Sequence, residues 1–184
     1  MVGRSNVGKS SLINALVRQP LARTSAAPGK TRLANFFRVQ RGSAAAFYLV
    51  DLPGYGYARA PRPHLRGGQR SARAGRDAAT DDFHGLTEAF FGRPGDRGVL
   101  LLVDTRHPGL EADLEAWQWL RSQPCYSGVV GTKVDKLTRA ERTRHARELE
   151  SSFDAPVLLV SAHTGEGLDE LWTLIARIPK PTAA

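Results

Sequence analysis

The chain has 184 residues, 41% of them hydrophobic, which is enough for one domain with a single core. No apolar run reaches the roughly 18 residues that a membrane-spanning helix needs, and no charged-then-apolar leader opens the chain, so neither a membrane span nor export is expected. The single cysteine, Cys125, cannot form an internal disulfide, which fits a reducing cytoplasm.

The charge balance is strongly basic, with 26 Lys and Arg residues against 18 Asp and Glu and a net charge of +8. A polyanionic partner such as RNA would explain this excess. A GC-rich genome would also explain it, because such genomes enrich Arg, Ala, Gly and Pro together. Composition leaves both interpretations open.

The first recognisable element is segment 3–10, which matches the phosphate-loop pattern G-x-x-x-x-G-K-[ST] at each fixed position. Backbone N–H groups of such a loop turn inward and cradle phosphate oxygens. Lys9 is expected to reach the β- and γ-phosphates, and Ser10 to hold Mg²⁺ through its hydroxyl. The predicted phosphate-binding residues are Gly3, Arg4, Ser5, Asn6, Val7, Gly8, Lys9 and Ser10. Glycine turns without a ligand also match this pattern, so the assignment depends on the motifs that follow.

The segment after this loop fits a phosphate-binding site, but the segment before it is unusually short. Apolar residues between 12 and 17 recur at helical spacing and predict a helix directly after it. A phosphate loop normally follows a buried parallel strand, yet only Met1 and Val2 precede Gly3. We therefore expect the first strand to be largely missing from this chain, through a misplaced start or through trimming of the N-terminus.

Further along, strand patterns alternate with helical patterns. The predicted strands are 34–39, 45–50, 99–103, 127–131 and 157–160. The predicted helices are 83–91, 110–120, a capped helix from Thr138 to about residue 151, and a last helix with Leu168, Leu171, Trp172 and Ile175 on one face. The first two strands read as a hairpin, and the alternation predicts an α/β domain with a mostly parallel sheet. We expect one domain at 1–178 and a short tail at 179–184.

Two later segments carry groups suited to phosphates and metal. Thr31, in a loop rich in turn residues, offers a hydroxyl that would complete an Mg²⁺ shell together with Ser10. Asp51 offers a carboxylate to the metal's water shell, and Gly54 a backbone N–H that approaches the γ-phosphate. We expect Lys9, Thr31 and Gly54 to serve catalysis. The predicted nucleotide-binding residues of these segments are Pro28, Gly29, Lys30, Thr31, Arg32, Asp51, Leu52, Pro53 and Gly54.

Two further segments suit a base. A carboxylate at Asp135 can accept two hydrogen bonds from N1–H and N2–H₂ of guanine, a donor pair that adenine lacks. The stem of Lys133 would lie over the ring, and backbone N–H groups at 161–162 would reach the guanine oxygen. The predicted base-pocket residues are Thr132, Lys133, Val134, Asp135, Val160, Ser161 and Ala162. Each segment alone is common, but their order favours a guanine-nucleotide site.

Several longer stretches carry a family resemblance. They are 3–16, 23–25 with 28–31, 35–37, the Asp-Leu-Pro-Gly-Tyr-Gly-Tyr-Ala run at 51–58, and 104–108. Together they resemble the EngB (YihA/YsxC) family of bacterial Era-like GTPases. The resemblance implies a three-layer Ras-like fold with a mostly parallel sheet and one antiparallel strand, and Mg²⁺-dependent GTP binding and hydrolysis. It also implies a cytoplasmic role in large ribosomal subunit assembly and in normal septum formation; we expect a monomer.

Three single positions qualify this resemblance. Tyr55 stands where Ras-type enzymes carry the glutamine that orients the attacking water, so slow intrinsic hydrolysis is expected without a ribosomal surface or a cation. Asn6 stands where related potassium-activated GTPases keep a cation ligand, although an Asn that only shapes the loop is the alternative. Gly131 occupies a position before the Thr-Lys-x-Asp box where the resemblance leads us to expect an apolar residue.

A basic stretch follows the segment at 51–58 that contains Asp51 and Gly54. Its arginines recur every three or four residues and are Arg62, Arg66, Arg70, Arg73 and Arg76. On a helix they would form one stripe able to bind rRNA phosphates. Gly67 and Gly68 oppose a helix by roughly 1 kcal/mol each, so a solvated loop of biased composition is the alternative.

Two rival functions stay open at this point. One is another Era-like GTPase, which would act on tRNA modification or on the small ribosomal subunit. The other is a truncated nucleotide-binding fragment that does not hydrolyse GTP.

Overall fold

A computed structural model describes residues 1–22, 33–55, 90–91 and 97–178 of the chain. The strands are β1 (Val2–Gly3), β2 (Asn35–Val39), β3 (Phe47–Asp51), β4 (Gly98–Asp104), β5 (Tyr126–Thr132) and β6 (Val157–Leu159). The helices are α1 (Lys9–Val17), α2 (Glu111–Arg121), α3 (Arg139–Phe153) and α4 (Leu168–Arg177), with a 3-10 turn at Val134–Lys136.

The strands form a mostly parallel sheet, as predicted. Strands β1, β4, β5 and β6 are parallel neighbours in that order, and β2 pairs antiparallel with β3. Main-chain contacts join the two groups, because the amino group of Met1 donates to Val50 O at 2.6 Å and Leu52 N donates to Met1 O at 3.3 Å. The resulting order is β2-β3-β1-β4-β5-β6. Strand β1 is only two residues long, yet it lies at the centre of this sheet.

The core has two halves, one on each face of the sheet. Strand β4 is an apolar run buried on both faces, and the centre of β5 is buried beside it, so their side chains point alternately into each half. One half packs them against α1 and α4, through residues such as Leu12, Ile13, Leu171 and Ile175. The other half packs them against α2 and α3, through Trp117, Leu120, Leu149 and Phe153. The predicted three-layer α/β fold is therefore confirmed.

Most predicted elements are found within a residue or two. The capping box of α3 is present: the Thr138 side chain accepts from Glu141 N, and Glu141 Oε2 accepts from Thr138 N at 2.8 Å. The helix predicted at 110–120 begins one residue later, at Glu111, so Leu110 is its N-cap residue and is 37% exposed. Of the predicted helix 83–91, only Phe90 and Phe91 are described, and both are helical. None of the described helices has the length and apolar composition of a membrane span.

Gly131 has a packing role that explains the missing apolar side chain. A Cβ at this position would lie 2.7 Å from Thr105 Cγ2 and 2.8 Å from Leu159 Cδ2. The Thr105 side chain is held in place because its hydroxyl donates to Thr132 O at 2.6 Å. Two neighbouring side chains thus fill the space that a residue larger than glycine would occupy.

Substituting Gly131→Ala should therefore overpack the sheet and lower the free energy of unfolding by about 1–3 kcal/mol. Gly128→Ala in the same strand is the matched control, because its Cβ would meet Leu100 Cδ2 at an ordinary 3.4 Å. The control should change stability by less than about 1 kcal/mol, in the stabilising direction if at all. Urea unfolding of the two variants measures this, and equal stabilities would contradict the packing explanation.

Candidate nucleotide-binding site

The phosphate-loop segment connects β1 to α1 at the carboxyl edge of the parallel strands, where open α/β sheets bind ligands. Asn6 and Gly8 lie in the left-handed region, with φ of 62° and 108°. The ammonium of Lys9 donates to Gly3 O at 2.9 Å and to Arg4 O at 3.1 Å, so the lysine closes the loop on itself. The predicted loop is thus present, with its lysine on the inner side.

Lys9 is only 7% exposed, and burial lowers its pKa to about 8, while the nearby negative charge of Asp51 acts in the opposite direction. At neutral pH the group is therefore still mostly an ammonium. A poorly hydrated cation inside a ring of backbone groups interacts strongly with an anion that replaces the missing water. This arrangement suits phosphate.

Ser10 and Asp51 meet where a metal ion was predicted. Ser10 Oγ donates to Asp51 Oδ2 at 2.8 Å, and the Asp51 side chain belongs to a residue that is 2% exposed. Its other oxygen, Oδ1, is buried and has no hydrogen-bond partner among the described residues. A hydroxyl beside a carboxylate with an unused oxygen is the oxygen-rich donor set that Mg²⁺ and its water ligands require. The residues present therefore fit Mg²⁺.

The segment after β3 lies directly against the phosphate loop. A Cβ on Gly54 would come within 2.8 Å of Ser5 N and 3.1 Å of Lys9 Nζ, so only glycine allows this approach. Ser5 N donates to Tyr55 O at 3.2 Å, which pairs the two segments through their main chains. The other predicted nucleotide-binding residues, 28–32 with Thr31, lie outside the described residues.

The Thr-Lys-x-Asp segment holds the loop from the opposite side. Thr132 Oγ1 donates to Val7 O at 2.7 Å, and it also lies 3.1 Å from Val103 O. Lys133, with φ of 61°, donates from Nζ to Asn6 O at 2.7 Å. The segments predicted to bind the base and the phosphates are therefore connected by direct hydrogen bonds.

Asp104 was not among the predicted site residues, yet it anchors Lys133. Its carboxylate accepts from Lys133 Nζ at 2.9 Å and from Nε and Nη2 of Arg106 at 2.9 and 2.7 Å. Burial alone would raise the pKa of Asp104, but these hydrogen bonds outweigh it and hold the pKa well below its usual range. The sequence did offer one signal for this role, since Asp104 stands at the carboxyl end of a buried strand.

Asp135 is oriented by a partner from the turn that follows β6. Ser161 Oγ donates to Asp135 Oδ1 at 2.7 Å, and Lys136 Nζ lies 3.3 Å from Oδ2. Burial opposes ionisation here too, but the bonds from Ser161 and Lys136 outweigh it and lower the pKa of Asp135. At neutral pH the side chain is thus a fixed carboxylate that can only accept hydrogen bonds.

The expected role of Ser161 needs a correction. Its backbone N–H donates to Glu166 O at 2.9 Å, so that group is not directed at a base. The side chain acts instead, because Oγ orients Asp135 and also lies within hydrogen-bond distance of the backbone N–H of His163 and Thr164. Of the two backbone N–H groups predicted to reach a guanine oxygen, that of Ala162 then stays the predicted donor.

A cavity of about 320 Å³ joins these parts. It extends from the phosphate loop and the start of α1 to Asp135 and the 161–163 turn. Its lining residues are Val7, Gly8, Ser11, Leu12, Thr132, Lys133, Asp135, Lys136, Ala162 and His163. Ser11, Leu12, Lys136 and His163 were not predicted as site residues, because no local motif distinguishes them. The volume and the carboxylate on its wall suit a planar base with paired donors.

Comparison with known proteins agrees with this geometry. A family model described as "50S ribosome-binding GTPase" matches residues 1–163. The chain is 39% identical to "Probable GTP-binding protein EngB" of Pelotomaculum thermopropionicum, over 96% of this chain and 83% of that protein.

Solved structures share the fold at lower sequence identity. A structure of a probable GTP-binding protein engB has a TM-score of 0.64 and 22% identity, covering 95% of this chain and 94% of that one. A structure of Era in complex with MgGDPNP and nucleotides 1506–1542 of 16S ribosomal RNA has a TM-score of 0.74 and 22% identity. The match covers 97% of this chain and 55% of that one.

Replacing Thr132→Val preserves side-chain shape but removes the hydroxyl that satisfies buried Val7 O. We expect the free energy of unfolding to fall by about 1–3 kcal/mol, because a buried carbonyl loses its partner. Thr143→Val on the exposed face of α3 is the control, where Oγ1 donates to Arg139 O of the same helix; it should cost under about 0.5 kcal/mol. If urea unfolding gives the two variants equal stability, the Thr132 bond does not hold the loop.

Proposed function

The chain belongs to the EngB family of GTP-binding proteins, and we propose on that basis that it is a GTP-dependent switch in assembly of the large ribosomal subunit. The observation that supports guanine recognition here is the carboxylate of Asp135, fixed by Ser161 on the wall of a cavity that begins at the phosphate loop. A ligand that spans this cavity would place its base at Asp135 and its phosphates at Lys9.

The phosphate end follows from the same contacts. Lys9 exchanges its bonds to Gly3 O and Arg4 O for β- and γ-phosphate oxygens, and the backbone N–H groups of the loop complete the cradle. Ser10 and Thr31 would hold Mg²⁺ through their hydroxyls, and Asp51 would accept hydrogen bonds from water bound to it. When bound, the metal neutralises charge on the phosphate oxygens. Gly54 donates its N–H to the γ-phosphate.

Hydrolysis is proposed to proceed by in-line attack of water on the γ-phosphate and to be slow without assistance. Tyr55 follows Gly54, and its side chain lacks the amide group with which a glutamine would orient that water. Its hydroxyl donates to Asp113 Oδ1 at 2.7 Å. Assistance would come from a ribosomal surface or from K⁺ bound with Asn6 as a ligand. The left-handed backbone of Asn6 is equally consistent with a role in loop shape.

The ribosomal part of the proposal rests on relatives and on charge. The matching family model is described as ribosome-binding, and the chain carries a net charge of +8. The five arginines predicted to contact rRNA, between 62 and 76, lie outside the described residues. We further propose a cytoplasmic monomer in which 1–178 form one GTP-binding domain with a short tail at 179–184, and a requirement for normal septum formation.

The rival assignment to another Era-like GTPase has less support. The EngB relative is matched over 83% of its own length, and the engB structure over 94%. The Era structure shares the fold, but the chain covers 55% of it.

Asp135→Asn tests guanine recognition. The asparagine has one acceptor where the carboxylate has two, so GDP affinity should fall at least about 100-fold, while affinity for xanthosine diphosphate should rise. The control is Asp154→Asn, whose side chain is 95% exposed at the end of α3; it should leave both affinities unchanged. Isothermal titration in Mg²⁺ measures them, and retained GDP affinity would place the base elsewhere.

Replacing Arg66, Arg70 and Arg73 with Gln tests the rRNA contact. Binding to large-subunit particles should weaken, and the salt dependence of binding should become shallower by up to about three in log–log slope. Replacing Arg139, Arg144 and Arg147 on α3 with Gln removes the same net charge from exposed positions and is the matched control. Sedimentation with purified particles measures both, and equal effects would show that only total charge matters.

A further inference from the structure

One carboxylate outside the predicted site connects two of its parts, the phosphate loop and the segment that follows β3. Asp113 lies in the first turn of α2 and is 1% exposed. Its Oδ1 accepts from Tyr55 Oη at 2.7 Å, and Arg4 Nε lies 3.0 Å from Oδ1 and 3.1 Å from Oδ2. A helix on one face of the sheet is thus bonded both to the phosphate loop and to the residue after Gly54.

These bonds are strongly constrained. A buried carboxylate is costly unless charge and hydrogen bonds compensate it. Arg4 supplies charge and Tyr55 a second donor, but burial outweighs them and keeps the pKa of Asp113 above its ordinary value. Burial and the adjacent carboxylate raise the pKa of the Tyr55 hydroxyl far above its ordinary value, so it stays protonated and keeps donating. Removing either Arg4 or Tyr55 would leave the buried Asp113 carboxylate with fewer donors, and removing Asp113 would leave both donors without their acceptor.

The main chain reinforces the same arrangement. Tyr55 O accepts from Ser5 N at 3.2 Å, and Arg4 and Tyr55 pair as a parallel bridge. The backbone of Tyr55 is therefore held by the loop, and its side chain is held by Asp113. Because Gly54 immediately precedes Tyr55, these contacts limit where the Gly54 N–H can lie.

We propose that Asp113 is a positioning residue that clamps Tyr55 and Arg4 together and thereby holds the Gly54 N–H in place to contact a γ-phosphate. The inference rests on the proposed GTP-binding function. It predicts a selective effect: the clamp matters for a nucleotide that has a γ-phosphate and little for GDP, because GDP has no group at that place. A residue that only stabilised the fold would affect both nucleotides alike.

Asp113→Asn and Tyr55→Phe, singly and combined, test the clamp, with Glu115→Gln on the exposed face of α2 as control. Each single variant should weaken GDPNP binding by about 10-fold and GDP binding by less than about 3-fold. The double variant should lose less than the sum of the two single losses, since both changes act on the contact between Tyr55 and Asp113. Equal losses for GDP and GDPNP, additive losses, or no loss would overturn the proposal.

Amide exchange in the nucleotide-free protein separates this proposal from the function on which it rests. A peptide covering 49–55 should exchange faster in both single variants than in the wild type and the Glu115→Gln control. Unchanged exchange would refute the clamp even if the wild type binds GTP. Faster exchange in a protein that binds no guanine nucleotide would retain the clamp as a structural contact, overturn its γ-phosphate role, and show that the proposed function fails.

Discussion

The hydrogen bond from Thr132 Oγ1 to Val7 O is the contact on which the site depends most. It joins the end of β5, which leads to Asp135, the proposed base-binding residue, to the turn of the phosphate loop. Lys133 adds a second bond, from Nζ to Asn6 O, and Asp104 holds that lysine in place. The segments proposed to bind the base and the phosphates are therefore held relative to each other by the protein itself, which would lower the ordering cost of binding.

The acidic residues show a consistent arrangement in this basic chain. The first of them in sequence is Asp51, and Asp51, Asp104 and Asp113 are all buried near the carboxyl edge of the sheet. Each is matched by a donor from a distant segment: Ser10 for Asp51, Lys133 for Asp104, and Arg4 with Tyr55 for Asp113. Buried carboxylates are tolerated only with such partners, so the same contacts that stabilise them also hold the loops of the site together.

Local patterns in the sequence were sufficient for the sheet, the helices and the phosphate loop, because apolar periodicity and the glycine-lysine motif act over a few residues. They could not reveal Asp113 or the side-chain role of Ser161, whose partners lie 58 and 26 positions away along the chain. Gly131 is a related case: the resemblance pointed to an apolar residue, but the space is filled by Thr105 and Leu159. Pairings between distant segments follow from the fold and are not visible in any short window.

The most direct test of guanine-nucleotide binding is a competition titration with a fluorescent GDP analogue in Mg²⁺. The contacts of Lys9, Ser10 and Asp135 predict that the analogue binds and that unlabelled GDP and GTP displace it. ATP should fail to displace it even at about 100-fold excess, because adenine lacks the donor pair that a fixed carboxylate selects. Displacement by ATP at the same concentration as GTP, or no binding of the analogue, would contradict the assignment.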